Sequence, residues 1–152
     1  MIFWSRQSSP RRLLSPAERQ ALAAAVHGAE AGTSGEIRVH IERRCRIDAL
    51  ERARHVFHRL GMEKTARRNG VLIYVALVDR KFAIYGDEGI HRQVGDTWWQ
   101  SIRDGLAARF GRGEFGAGLG EAVERVGTAL KASFPVQPGD VNELPDEPSF
   151  GS

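Results

Sequence analysis

A chain of 152 residues, 41% hydrophobic and 27% charged, is long enough to bury one sizeable core and has the composition of an ordinary soluble domain. Its net charge of +3 is modest, and a single cysteine, Cys45, excludes an intrachain disulfide. No run reaches the roughly 18 apolar residues of a membrane span, and the N-terminus MIFWSRQSSPRR lacks the apolar core of a signal peptide.

Residues 1–14 read as a flexible basic arm carrying Arg6, Arg11 and Arg12. Ser15-Pro16-Ala17-Glu18 then starts a helix, with a Ser cap, Pro at the first helical position and Glu closing the capping box. Leu22, Ala25, Val26 and Ala29 form its apolar stripe, and Gly32 stops it. Glu36 to Glu42 alternates. Ile37, Val39 and Ile41 point one way, and Glu36, Arg38, His40 and Glu42 the other, which predicts a strand with one wet face near a sheet edge.

A second capping box, Asp48 to Glu51, opens a helix carrying Leu50, Ala53, Val56, Phe57 and Leu60, ended by Gly61. Val71 to Val78 is continuously apolar, as expected for a strand buried on both faces. After the Asp79-Arg80 turn, Lys81 to Tyr85 is close enough to return only as an antiparallel strand. Asp96 is expected to cap a third helix with Trp99, Ile102, Leu106 and Phe110 on one face. Trp98 falls at the edge of that stripe, beside the preceding glycine-acid loop. Leu119, Val123, Val126 and Leu130 mark a fourth helix, closed at Phe134-Pro135. Residues 136–152 are rich in Pro and acid without periodicity, which predicts a disordered acidic tail.

Its four acids, Asp140, Glu143, Asp146 and Glu147, leave about +7 on the rest of the chain by difference from the total. Most of that excess lies between Glu42 and Arg68, where bases are interspersed with Glu42, Asp48, Glu51 and Glu63. The pattern reads as a solvated face, and no nucleic-acid partner is predicted.

The order α-β-α-β-β-α-α over residues 15–135 predicts a three-layer α/β/α sandwich with a small mixed sheet. The first two strands should run parallel and the third antiparallel to them.

Three segments in this order resemble the TPM domain family. They are Thr33-Ser34-Gly35-Glu36-Ile37-Arg38-Val39, Arg68-Asn69-Gly70-Val71-Leu72-Ile73-Tyr74-Val75, and Phe82-Ala83-Ile84-Tyr85-Gly86-Asp87-Glu88-Gly89-Ile90, supported by Trp98-Trp99 and Phe134-Pro135. The chain looks like a short, soluble bacterial form, without the signal peptide, transmembrane helix and glycine-rich tail of many longer relatives. The resemblance implies a Rossmann-like fold. It also implies three kinds of activity recorded among relatives: accessory roles in membrane assemblies, calcium binding, and acid phosphatase activity in a plant member.

Topology supplies a candidate site. The starts of the first two strands and the finish of the third should share one end of the sheet. That end collects Glu36, Asn69-Gly70, Asp87, Glu88 and the helix start at Asp96. Carboxylates and turn carbonyls suit a hard cation such as calcium, which takes about 6–8 oxygens, so Glu36, Asp87, Glu88 and Asp96 are the candidate metal ligands. With so few charged ligands the affinity should be weak, on the order of 10⁻⁴ M or poorer. The same residues also serve turn and cap chemistry.

Other motifs carry less. Gly111-Arg112-Gly113-Glu114-Phe115-Gly116 matches a dinucleotide fingerprint but follows a helix instead of a strand. His55 with His58, and His27 with Glu30, lack a third metal ligand. Cys45 opens no glycine-rich turn, and no catalytic set stands out.

The expectation is therefore a cytoplasmic accessory or interaction protein with weak calcium binding and an unidentified protein partner. Ile2, Phe3 and Trp4 beside the three arginines offer peripheral contact with the inner membrane. The alternative is a metal-dependent phosphatase acting on phosphomonoesters, with Glu36, Asp87 or Asp96 as general base.

Overall fold

A computed structural model of the chain describes residues 9–136 and 147–151. Its first helix, α1 (Pro16–Glu30), begins where the sequence places it. Ser15 Oγ accepts from the Glu18 amide at 3.0 Å, while Glu18 Oε1 accepts from the Ser15 amide at 2.9 Å. This reciprocal pairing satisfies two of the amides that a helix start leaves open. Then follow β1 (Glu36–Glu42), α2 (Ala49–Arg59), β2 (Gly70–Ala76), β3 (Lys81–Gly86), α3 (Glu88–Gly111), α4 (Phe115–Ser133) and β4 (Ser149–Phe150).

The sheet order is β3-β2-β1-β4. β2 pairs parallel with β1, from Glu36 opposite Gly70 to Glu42 opposite Ala76, and antiparallel with β3. Helices cover both faces. Ile37, Val39, Ile41, Val71, Ile73 and Val75 pack with the apolar stripes of α1, α3 and α4. Leu72, Tyr74, Ala76 and Ala83 pack on the opposite face with Ala53, Val56 and Phe57 of α2. The chain is thus the expected α/β/α sandwich, and β2 is central and fully buried.

Four details differ from the sequence reading. β1 has no wet face and is not at the edge, because β2 and β4 flank it. Glu36, His40 and Glu42 are 2%, 2% and 3% exposed. Alternation misled here because His40 and Glu42 are buried in hydrogen bonds and an ion pair with Arg52, while of this row only Arg38 is partly exposed. Second, Gly86-Asp87-Glu88-Gly89 is not a loop. α3 already starts at Glu88 with Asp87 as its cap, and the helix expected from Asp96 is its second segment, set off from the first by the non-helical Gly95 (φ 75°, ψ 171°). Third, Leu50 is half exposed, outside the core stripe of α2.

Fourth, the terminal segments are partly built into the domain. Pro10–Arg12 form a 3-10 turn and Leu14 is buried, while Ser149–Phe150 add a strand to β1. An apolar anchor and a free strand edge supply the ordering energy that composition does not reveal. The rest of the arm, 1–8, and of the tail, 137–146 and 152, lie outside the described residues.

Candidate functional site

The finish of β3 runs straight into α3, and the junction is tied to the start of β2. The Asp87 amide donates to Gly70 O at 3.0 Å, and the Gly89 amide donates to Arg68 O at 2.8 Å. A Cβ on Gly89 would lie 2.2 Å from Arg67 O and 2.6 Å from Arg68 O, so only glycine lets the helix approach this backbone.

Asp87, 1% exposed, accepts the Glu88 amide on Oδ1 at 2.8 Å as the cap of α3. Arg68, held in a left-handed conformation (φ 53°), grips the same carboxylate with Nε to Oδ2 at 2.7 Å and Nη2 to Oδ1 at 2.8 Å. The hydrogen bond and charge of Asp87 raise the guanidinium pKa further above its ordinary value. Glu88 lies 3.6 Å from Arg68 and 3.7 Å from Arg92.

Beside this junction is a cleft of about 380 Å³, walled by Leu50 of α2, Tyr85 of β3, and His91, Asp96, Trp99 and Arg103 of α3. Trp99 forms its floor over Gly86, where a Cβ would fall 2.3 Å from Trp99 Cζ2. The indole Nε1–H donates to His91 Nδ1 at 3.0 Å. An indole nitrogen can only donate, so Nδ1 accepts and the imidazole proton sits on Nε2. Nε2 lies 3.7 Å from Asp96 Oδ1, and both groups face solvent. Trp98 packs edge-on against Trp99 at 4.9 Å between ring centroids, half-buried at the core margin.

Of the four carboxylates expected to hold a cation, Asp87, Glu88 and Asp96 share this cleft. Glu36 does not line it. It is buried at the start of β1, opposite Gly70. Asn69 is likewise buried and donates to Ser34 Oγ at 3.1 Å, which Arg67 also reaches at 3.0 Å. Among the described residues, no group of three or more His, Cys, Asp or Glu side chains is placed to hold a metal ion. Both Asp87 oxygens are engaged by a cation of the chain itself, which leaves Glu88 and Asp96 as the exposed carboxylates of the cleft for a hard cation.

A second polar cluster, which the alternating pattern of β1 hides, lies at the other end of that strand. Glu42 accepts from Arg52 Nε at 2.8 Å, Arg52 Nη2 at 3.0 Å and the Tyr74 hydroxyl, and lies 3.3 Å from His40 Nε2. Burial alone would push the Glu42 carboxyl up. The hydrogen bonds from His40, Arg52 and Tyr74 and the Arg52 charge outweigh it and hold the pKa well below the usual carboxylate range. Burial, then the bond to Glu42, raises the Tyr74 phenol. Cys45 is buried nearby, with Sγ donating to Ile47 O at 3.1 Å.

Gly111–Gly116 joins α3 to α4 with Gly113 at φ 75°, and His58 pairs with Glu63 at 3.1 Å.

Residues 8–129 match the TPM domain family. The chain belongs to that family. Among solved structures, this TPM domain is similar to the BA42 protein of the psychrophilic bacterium Bizionia argentinensis. The two are 43% identical with a TM-score of 0.85, over 95% of this chain and 100% of that one. The N-terminal domain of cg2496 from Corynebacterium glutamicum (14% identity, TM-score 0.63, 86% of this chain and 81% of that one) shares the fold. So does the N-terminal domain of a P. gingivalis protein (18%, 0.62, 87% and 89%). No curated protein matches the TPM domain described here. Among its described residues, no helix is long and apolar enough to cross a membrane.

Proposed function

We propose that this TPM domain is an accessory module that docks a protein partner, in a membrane assembly, at the cleft between α2 and α3. The observation that carries the reading is the composition of that cleft. It joins an aromatic floor (Trp99, Tyr85) and the exposed Leu50 to two polar rim groups, the solvent-facing His91 and Arg103, whose Nη2 donates to Gln100 Oε1 at 2.9 Å. Aromatic and Arg anchors beside an apolar contact are what interface centres use. A photo-crosslinker placed at Leu50 in cells should give a discrete adduct that is lost in Arg103→Glu. Absence of an adduct, or one indifferent to Arg103→Glu, overturns the reading.

Calcium belongs to this proposal in a restricted form. Glu88 and Asp96 are exposed carboxylates in the same cleft, so a weakly held ion would use them and gain Asp87 only when Arg68 moves away. The phosphatase reading is favoured by one observation, the presence of Arg68, Arg103 and His91 as donors around a carboxylate-bearing cleft. Hydrolysis of a generic phosphomonoester, with and without calcium or magnesium, separates it from docking. Activity that survives Asp87→Asn and His91→Ala would exclude this cleft as its site.

A further inference from the structure

The C-terminal segment meets β1 with three consecutive residues, Ser149, Phe150 and Gly151, each engaged by different chemistry, and Pro148 precedes them beside Arg19 and Ala23 of α1. Pro148 is buried. Ser149 lies opposite His40, with Oγ 2.7 Å from His40 Nδ1 and 3.4 Å from Val39 O. Phe150 lies opposite Ile41. Its ring turns to the other face of the sheet, against the main core, with the Arg11 guanidinium 5.0 Å above its centroid. The Gly151 amide donates to Ile41 O at 3.0 Å. A Cβ there would lie 2.8 Å from Glu42 Oε1 and 3.0 Å from His40 Nε2.

The groove thus selects a hydroxyl, an aromatic ring and a residue without a side chain, in that order. The segment also forms part of the cover over His40 and Glu42. Its ladder is short, with two paired positions against seven between β1 and β2.

We propose that the outer edge of β1 is a sequence-selective strand-docking groove, occupied by the chain's own Pro148–Gly151 as a detachable strap that shields His40. The groove recognises an extended Pro-Ser-Phe-Gly segment by main-chain pairing plus side-chain pockets, the logic of strand addition to a sheet edge. It is distinct from the α2–α3 cleft, so the proposal stands whether or not a partner binds there. Short edge pairings open locally far more readily than a central ladder.

The test is carbethoxylation of histidines by diethyl pyrocarbonate in the full chain, read residue by residue by mass spectrometry. The exposed side chains of His58 and His91 serve as internal references. In the wild-type chain His40 should react at least about tenfold more slowly than His91. Gly151→Ala, which places a methyl against Glu42 and His40, should bring His40 to within about threefold of His91. Phe150→Ala should do the same by removing the anchor on the other face. Adding the peptide Glu-Pro-Ser-Phe-Gly-Ser at millimolar concentration to Gly151→Ala should restore protection, whereas the same peptide with Ala for Gly should not. Unrestrained reaction of His40 in the wild type overturns the strap. So does continued protection in both variants. Failure of the peptide to protect, or equal protection by the Ala peptide, overturns the selective groove.

Discussion

Arg68 holds Asp87 by both carboxylate oxygens, at 2.7 and 2.8 Å, while Asp87 caps the helix that forms one wall of the cleft. A cation of the chain thus occupies the position that a bound ion would need. Calcium and Arg68 should therefore compete. Arg68→Gln is expected to tighten calcium binding by roughly tenfold relative to wild type, because a buried carboxylate loses its resident counter-charge. Calorimetric titration of the two proteins checks this, and equal or weaker binding by the variant would refute it.

The Trp99–His91 bond sets one imidazole tautomer. Nitrogen-15 spectra should show the His91 Nδ1 unprotonated and Nε2 protonated in the neutral ring, and Trp99→Phe should let the two forms mix. The variant should also weaken partner capture at Leu50 without unfolding the domain, since Phe keeps most of the buried ring. An unchanged tautomer signature in Trp99→Phe would show that the indole does not direct the ring.

Glu42 predicts how stability responds to acid. Its folded-state pKa is depressed, so its stabilising contribution is present above the unfolded value near 4.3 and is lost as pH falls through the lower folded value. Tyr74 has the opposite sign. Its raised pKa leaves stability intact below about pH 10 and erodes it above. Denaturant unfolding of Glu42→Gln should show a loss of about 2 kcal/mol at pH 7 that shrinks below pH 4. Tyr74→Phe should flatten the alkaline limb. Parallel pH profiles for wild type and Glu42→Gln would contradict the assignment.

Two glycines of α3 should respond oppositely to alanine. At Gly89 a methyl group meets the Arg67 and Arg68 carbonyls, and the expected loss is roughly 3 kcal/mol. At Gly105 a Cβ would meet no atom within 4 Å beyond its own helical turn, and the gain is about 0.5–1 kcal/mol from helix propensity. Thermal unfolding of both variants measures the contrast. A stable Gly89→Ala would mean that the α3–β2 junction is looser than drawn.

What the sequence determined by itself was the set of elements and their layering. The eight-residue apolar run at Val71 can be satisfied only between two covered faces. Ser15-Pro16-Ala17-Glu18 carries its own cap, and the heptad-like spacing from Trp99 to Phe110 marks a buried stripe. These are local properties, decided by short-range hydrogen bonding and the period of hydrophobic residues. The strand-end position of Asp87 and Glu88 was legible for the same reason, since it follows from topology.

Tertiary structure alone decided which charges are free. Arg68 neutralises Asp87 from 19 positions away. Arg52 and Tyr74 gather on Glu42, turning an apparently solvated row of β1 into a buried network. Ser149 reaches His40 across 109 positions. The helical start at Asp87 was masked by Gly86, Gly89 and Gly95, which read as loop until Trp99 and the Arg67–Arg68 backbone show why side chains are excluded at the first two. Pairing of a charge or a strand edge depends on partners that the fold brings together, and no local pattern encodes their distance.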